Sequence, residues 1–323
     1  MKKIIILLIC LLLSTSCGNY RELENMGIAT SIAIDYINNE YNINVEILTK
    51  KENIIINGKG NTFVSALENA ASKSKYNLYF AHLECVLITK NVNIEELSMF
   101  LLRNNEISAN LYLLLTESID VFDKDNNIGS KIKRILKVQQ INNFFLNSHD
   151  LINNKIFILP LYKDNTIDNY SIIKNNEIVY NLNTDQYKLI KLLNNKSNFN
   201  YKYINNNQII QTYINKVKTK YKSKDNKIII NMKINHDINE YTYNLDTTNK
   251  DNIKELETIL SNNIKEELYI LLNDLKEKNI NILNINNFNY ELNIKSNINK
   301  KGLFRKWINM HKIFYVCNLC LWE

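Results

Sequence analysis

Motifs that nucleate the common enzyme chemistries are missing from this chain. It has no GxSxG elbow, no HExxH and no GxxxxGK[ST], which removes the usual starting points for a hydrolase, a zincin or a phosphate-loop enzyme. Proline occurs once and glycine six times in 323 residues, while asparagine, isoleucine and lysine abound. That bias reads as codon usage rather than a functional signature. No arginine-rich or aromatic-interleaved basic stripe is present, so nucleic acid is not an expected partner. Five cysteines do not make a disulfide framework, because Cys10 and Cys17 fall near the start, Cys85 sits in an apolar run, and only Cys317 and Cys320 are spaced as a pair. Stability is expected to come from packing, which a hydrophobic share of 45% permits.

What is present begins at the N-terminus. Lys2 and Lys3 precede an unbroken apolar run from Ile4 to Leu13, then Ser14, Thr15, Ser16 and Cys17. This is the layout of a secretory signal peptide, too short to span a bilayer as a lasting helix. A cysteine at the cleavage point makes it similar to a lipoprotein signal, with residues 1–16 removed and Cys17 as the lipid attachment site. An ordinary signal peptide that ends near a cysteine is the alternative. Loss of Lys2 and Lys3 lowers the formal charge from +7 to +5. A mildly basic body of this kind can rest against anionic lipid.

Along the chain, GIATSIAIDY at 27–36 and YNINVEILTK at 41–50 flank Asn38-Asn39 and predict a hairpin, its first strand apolar enough to be central. Gly58, Gly60 and Asn61 mark a break. Residues 62–74 place Phe63, Ala66, Leu67, Ala70 and Ala71 on one helical stripe. A buried strand follows at 83–89, a helix at 94–105 with Leu97, Phe100 and Leu101 inward, and a strand at 109–117. This alternation predicts a sheet with helices packed on it. An amphipathic helix is expected over 128–145, a strand holding Pro160 over 155–162, a hairpin turning at Asn175-Asn176, and a short helix over 184–195. Beyond residue 200, long alternation about Asp225-Asn226 predicts another hairpin, with 241–245 a candidate further strand. Leucines and isoleucines at three- and four-residue steps over 250–278 predict an amphipathic helix of roughly 40 Å. The expected class is therefore α+β, with mixed sheets and packed helices. A first domain is expected over 17–200 and a second over 201–323, its strands followed by the long helix.

Few residues suggest chemistry. His82-Leu83-Glu84 with Cys317 and Cys320 faintly echoes the HxE…PCxxC zinc deaminase pattern, yet Val316 stands where the proline belongs. No metal, cofactor or catalytic residue is expected. His82 and Arg103 are the polar residues to watch in the first domain. Their structural readings are a backbone hydrogen bond for His82 and a favourable helix C-terminus for Arg103.

The series of segments resembles a known family. Cys17-Gly18-Asn19-Tyr20-Arg21-Glu22-Leu23 and GIATSIAIDY, then GKGNTFVSALENA at 58–70, YFAHLECVLITKNV at 79–92, LLRNNEISANLYLLLTE at 101–117 and EIVYNLNTDQYKLI at 177–190, look like the spore-germination receptor C-subunit lipoproteins, the Ger(x)C family. Asn19-Tyr20 replaces that family's Trp-Asp pair, and the residues past Lys300 depart from its pattern, as a truncated or frameshifted end would. The resemblance implies a non-enzymatic, lipid-anchored subunit on the outer face of the spore inner membrane, beside two membrane-embedded partner subunits. It also implies that Arg103 and Glu106, at a helix end, lie on a partner-binding surface. A solute-binding lipoprotein of a transporter is the competing reading, and it calls for two similar lobes around a cleft.

Overall fold

A computed structural model describes residues 26–50, 52–108, 110–124, 127–139, 141, 156–205, 208–224, 227–242, 249–283 and 289–299. Contacts divide these into two compact units, one ending at Arg134 and the other beginning at Ile135.

In the first unit β1 (Met26–Ile37) is central. It pairs antiparallel with β2 (Glu40–Leu48) and parallel with β4 (Asn77–Tyr79) and β5 (Cys85–Ile88). Adding β3 (Asn53–Gly60) and β6 (Tyr112–Thr116) gives the order β3-β2-β1-β5-β6. The β1–β2 turn is Asn38-Asn39, both at positive φ of 54° and 63°, as a two-residue turn matched to strand twist requires. Gly60 closes β3, opposite Tyr41, so the break read there falls at Gly60-Asn61, whereas Gly58 lies inside the strand, opposite Ile43. Helix α1 (Phe63–Lys73) crosses there so closely that a Cβ on Gly58 would fall 2.1 Å from the Ala66 carbonyl oxygen. Thr62 and Ser65 cap α1 reciprocally. Helix α2 (Ile94–Arg103) is capped by Asn93, whose side chain accepts from the Glu96 amide.

Helix α3 (Ile128–Val138) starts against β1. It is shorter than the expected 128–145, and residues 142–145 lie outside the described set. A register shift in β1 between Ala29 and Ser31 lets Thr30 bulge toward its first turn. A Cβ on Gly129 would lie 2.9 Å from the Thr30 carbonyl oxygen, so glycine permits this approach.

The second unit opens with an antiparallel meander of β7 (Ile156–Lys163), β8 (Thr166–Lys174) and β9 (Glu177–Asn183). Its turns, Asp164-Asn165 and Asn175-Asn176, again have both residues at positive φ. Helix α4 (Thr184–Leu193) follows at once, with Asn183 and Gln186 forming its capping box. Tyr187 stacks flat on Tyr170 at 3.9 Å between centroids. The second sheet has the order β10 (Phe199–Asn205), β11 (Gln208–Lys224), β12 (Lys227–Tyr241) and β13 (Asn289–Ile298). β13 runs parallel to β12, and the other pairings are antiparallel.

Helix α5 (Lys250–Glu277) buries Ile253, Leu256, Leu260, Ile264, Leu268, Leu271, Leu272 and Leu275, the stripe read from periodicity. It also satisfies the outer strand: Ser261 Oγ accepts from the Ser296 amide at 2.9 Å and Glu257 Oε1 from the Ile298 amide at 2.8 Å. Two donors that an edge strand would leave open are thereby occupied. Beneath the helix His236 is fully buried, with Thr212 Oγ1 3.0 Å from Nδ1 and Ser296 Oγ 3.2 Å from Nε2. Burial pulls its pKa down from 6.5 to about 4, Asp237 opposing weakly. Strands β3, β10 and β13 were not anticipated from sequence. The turn at 225–226 and the candidate strand residues 243–245 lie outside the described set.

Candidate functional site

The surface best suited to recognition in the first unit lies along α2. Leu97 and Leu101 face the core, as their spacing predicted, and a second stripe faces out. Glu96, Met99, Phe100 and Arg103 stand at three- and four-residue steps and so share one helix flank. Met99 is 38% exposed, a large fraction for an apolar side chain. Phe100 was expected to point inward, but it is only half-buried. Its ring instead meets Phe63 edge-on at 4.9 Å, because α1 lies beside α2. The aromatic chain continues from Phe63 to Tyr41 at 6.4 Å and from Tyr41 to Tyr36 at 4.9 Å. Tyr41 donates to Glu96 Oε2 at 3.2 Å. Burial, reinforced by that carboxylate, pushes the tyrosine up to about 12, so it serves as a neutral donor that orients Glu96. Val64 and Ile37, at 44% and 47% exposure, are further apolar side chains in solvent on α1 and at the end of β1.

Arg103 ends α2 and is exposed, where its charge also complements the helix C-terminus. Asn104 then turns the chain: its amide donates to the Phe100 carbonyl and its Oδ1 accepts from the Glu106 amide at 2.9 Å. Glu106 is exposed in that turn. Arg103 therefore borders a flank bearing methionine and phenylalanine, side-chain types enriched at protein interfaces.

Two buried polar groups escaped sequence reasoning. Glu46 is 1% exposed and accepts from Thr30 Oγ1 at 2.8 Å, Ser31 Oγ at 2.6 Å, the Ile128 amide at 2.9 Å and the Gly129 amide at 3.1 Å. A carboxylate on β2 thus caps the N-terminus of α3, where the helix dipole favours negative charge. With four donors it is saturated and leaves no room for a ligand. Asp35 Oδ1 accepts from the Tyr36 amide at 2.8 Å, from Asn91 Nδ2 at 3.2 Å and from the Thr89 hydroxyl. Its sequence signal was the aspartate closing an apolar strand.

Other candidates are dispersed. His82 lies in the turn before β5, edge-on to Tyr79 at 5.9 Å. Glu84 is paired with Lys133 at 2.6 Å. Cys85 is buried, and burial holds its thiol well above the usual range, so it is a packing residue. Cys17, Cys317 and Cys320 lie outside the described residues. Among the described residues no group of three His, Cys, Asp or Glu could hold a metal ion.

These features define an α+β protein of two dissimilar units with mixed sheets and packed helices. Comparison places it more narrowly. The model of the spore germination protein N-terminal domain matches residues 19–155, and that of the spore germination B3/GerAC-like C-terminal region matches residues 168–315. The fold is similar to the crystal structure of the GerBC protein, with a TM-score of 0.52 and 16% identity over 83% of this chain and 96% of that one. No curated protein matches. The chain belongs to the Ger(x)C family of spore germination receptor C-subunits.

Proposed function

We propose that this chain is the lipid-anchored, non-catalytic subunit of a germinant receptor, tethered through Cys17 on the extracytoplasmic face of the spore inner membrane and assembled with two membrane-embedded subunits. The observation that carries the reading is the tandem match of both germination-protein domains, residues 19–155 then 168–315, behind an N-terminal segment of lipoprotein-signal type. Among the described residues no helix is long and apolar enough to cross a membrane, and the reading assigns attachment to Cys17. The strand order β3-β2-β1-β5-β6 in one unit and β10-β11-β12-β13 in the other favours the receptor over a solute-binding protein of two similar lobes. The α2 flank, with Arg103 and Glu106 at its end, is the proposed contact with the membrane subunits.

Co-purification of the tagged chain from spore inner membranes tests the assignment. Two multi-spanning partners are expected, and recovery of an ATP-driven permease instead would establish the transporter reading. Cys17→Ala should abolish fatty-acid labelling; label persisting at full level sinks the anchor assignment. Arg103→Glu should leave the circular dichroism spectrum unchanged and reduce recovery of the partners. Normal recovery from a folded variant would remove α2 from the interface.

A further inference from the structure

Lysines at alternate positions of β11 share one face of the second sheet, and the pairing of β12 and β13 adds Lys227, Lys233 and Lys295 to it. In β11 Thr212 and Ile214 point inward, then a register shift between Ile214 and Lys216 inserts Asn215. Beyond the bulge the inward positions become Val217 and Thr219. The alternate set, Lys216, Lys218, Lys220, Lys222 and Lys224, is turned to solvent, and every one is exposed. At two residues per step these five span about 27 Å.

The neighbouring strands extend the field. Lys224 stands opposite Lys227. Lys218 faces Lys233, which faces Lys295, so three ammonium groups line up across β11, β12 and β13. Like charges directly opposite on a sheet repel and weaken it. Among the described residues two carboxylates lie on this face, Glu291 and, beside the bulge, Asp237, which accepts from Asn215 and Asn299, and none of these lysines forms an ion pair. The other face carries α5 along β13 and the end of α4 at Thr219 and Tyr221, and among the described residues the lysine face is the exposed one.

We infer that this lysine face is a docking surface for anionic lipid headgroups. Charge selects an anion, and the composition selects among anions. Between Lys216 and Lys224 the lysine face itself offers no aromatic ring for a nucleobase to stack on, since Tyr221 turns to the other side and donates to the Leu193 carbonyl, and Tyr213 lies beyond the bulge. Protein interfaces are depleted in lysine and enriched in arginine and aromatics, the pattern on α2 and the opposite of this face. Lysine keeps its hydration shell and acts as a point charge on a long stem, which suits a wet, laterally mobile surface of phosphate groups. Bound phosphates would also relieve the repulsion along the Lys218–Lys233–Lys295 row. The choice of lipid over other anions rests on the membrane tethering proposed above, while the face itself does not involve Cys17.

The test uses the mature chain from residue 17 carrying Cys17→Ala, so that neither an acyl chain nor the apolar run Ile4–Leu13 contributes, with phosphatidylcholine vesicles containing increasing fractions of phosphatidylglycerol. Binding should rise with phosphatidylglycerol and fall with added salt. Each lysine near such a surface is worth about fivefold in partitioning. The triple variant Lys218→Gln, Lys220→Gln, Lys222→Gln should therefore lose about a hundredfold. Lys90→Gln, Lys254→Gln, Lys265→Gln, three exposed lysines elsewhere, removes the same net charge and should lose far less. Equal losses from both triples would mean that total charge, not this face, drives binding. Vesicle binding indifferent to phosphatidylglycerol overturns the proposal outright. Retention on a polyglutamate resin that the face triple abolishes, without vesicle binding, would assign the face to an acidic protein instead. Failure here leaves the receptor assignment standing, because no partner subunit is present; failed co-purification likewise leaves this result intact.

Discussion

His236 and Glu46 each place a titratable side chain in a core, and each is matched to fixed partners. His236 lies between the hydroxyls of Thr212 and Ser296, and burial disfavours its charged form, lowering its pKa to about 4. Because the folded value lies below the unfolded one, its contribution is complete above about pH 6.5 and is lost as pH falls toward 4. The loss reaches about 3 kcal/mol. Glu267, whose pKa burial raises, works in the opposite sense, so wild type must be compared with His236→Gln, which keeps a donor and an acceptor without titrating. Urea denaturation at about pH 7.5 and about pH 4.5 should show the wild type losing roughly 2 kcal/mol more than the variant; parallel losses would refute the assignment. Glu46→Ala should cost on the order of 3–5 kcal/mol in the same measurement, since it strands two amides and two hydroxyls. Glu46 was not legible in the sequence. Alternation through Asn42, Asn44 and Glu46 reads as a solvent face, and only the Thr30 bulge and the return of α3 from residues 128–138 bury it. Arg103 was legible as a helix-end charge, but the aromatic chain that meets Phe100 on its flank comes from β1, β2 and α1, which no local pattern joins.

At the scale of elements, α5 shows what periodicity can deliver. All eight residues of its predicted stripe are buried, because a long amphipathic helix on an open sheet has one way to hide its leucines. Leu268→Asp should destabilise by several kcal/mol, placing a charge in that layer without a partner. The neighbouring control is less simple than position suggests. Glu267 belongs to the polar flank, yet its Oε2 accepts from Tyr201 at 3.0 Å and burial raises its pKa. Glu266, which is exposed, is the neutral comparison, and Glu266→Ala should stay within about 0.5 kcal/mol. Comparable losses from both would mean that the helix packs through a different face. Strand prediction fared worse for a compositional reason. Asparagine fills turns and strand positions alike here, and glycine, the usual punctuation, is found inside β3. The asparagine pairs read as turns at 38–39 and 175–176 were right, because asparagine tolerates positive φ.

For the whole molecule, the question is where a folded part can be cut. Helix α4 precedes residue 200, yet its C-terminal carbonyls are held from beyond it: Thr219 Oγ1 donates to Leu192 at 2.8 Å and Tyr221 Oη to Leu193 at 2.6 Å. A fragment of residues 18–200 removes both donors and uncovers Leu189, Ile190, Leu192 and Leu193. Hydrogen exchange over 184–195 should then be much faster in the fragment than in the full chain, with β1, β2 and β5 protected in both. Unchanged protection of 184–195 would show α4 to be seated by the meander alone. The α+β class was legible because helices and strands alternate with clear periods. The five lysines of β11 share a face by simple alternation, which the sequence shows; what it hid was which face, set by the inserted Asn215, and the alignment with Lys233 and Lys295 across β12 and β13.

The paired asparagines at 38–39 and 175–176, with Asp164-Asn165, also set an order of events. A two-residue turn whose members already favour the left-handed region commits its strands to a register before any distant contact forms, and hairpins close in microseconds. β12 and β13 have no such aid: they are parallel, with α5 between them in sequence, and must wait for that helix to form and swing across. A chain folding from the unfolded state would thus hold its hairpins early and its β13 edge late. Pulse-labelled exchange should find 26–48 and 166–183 protected first and 289–298 last.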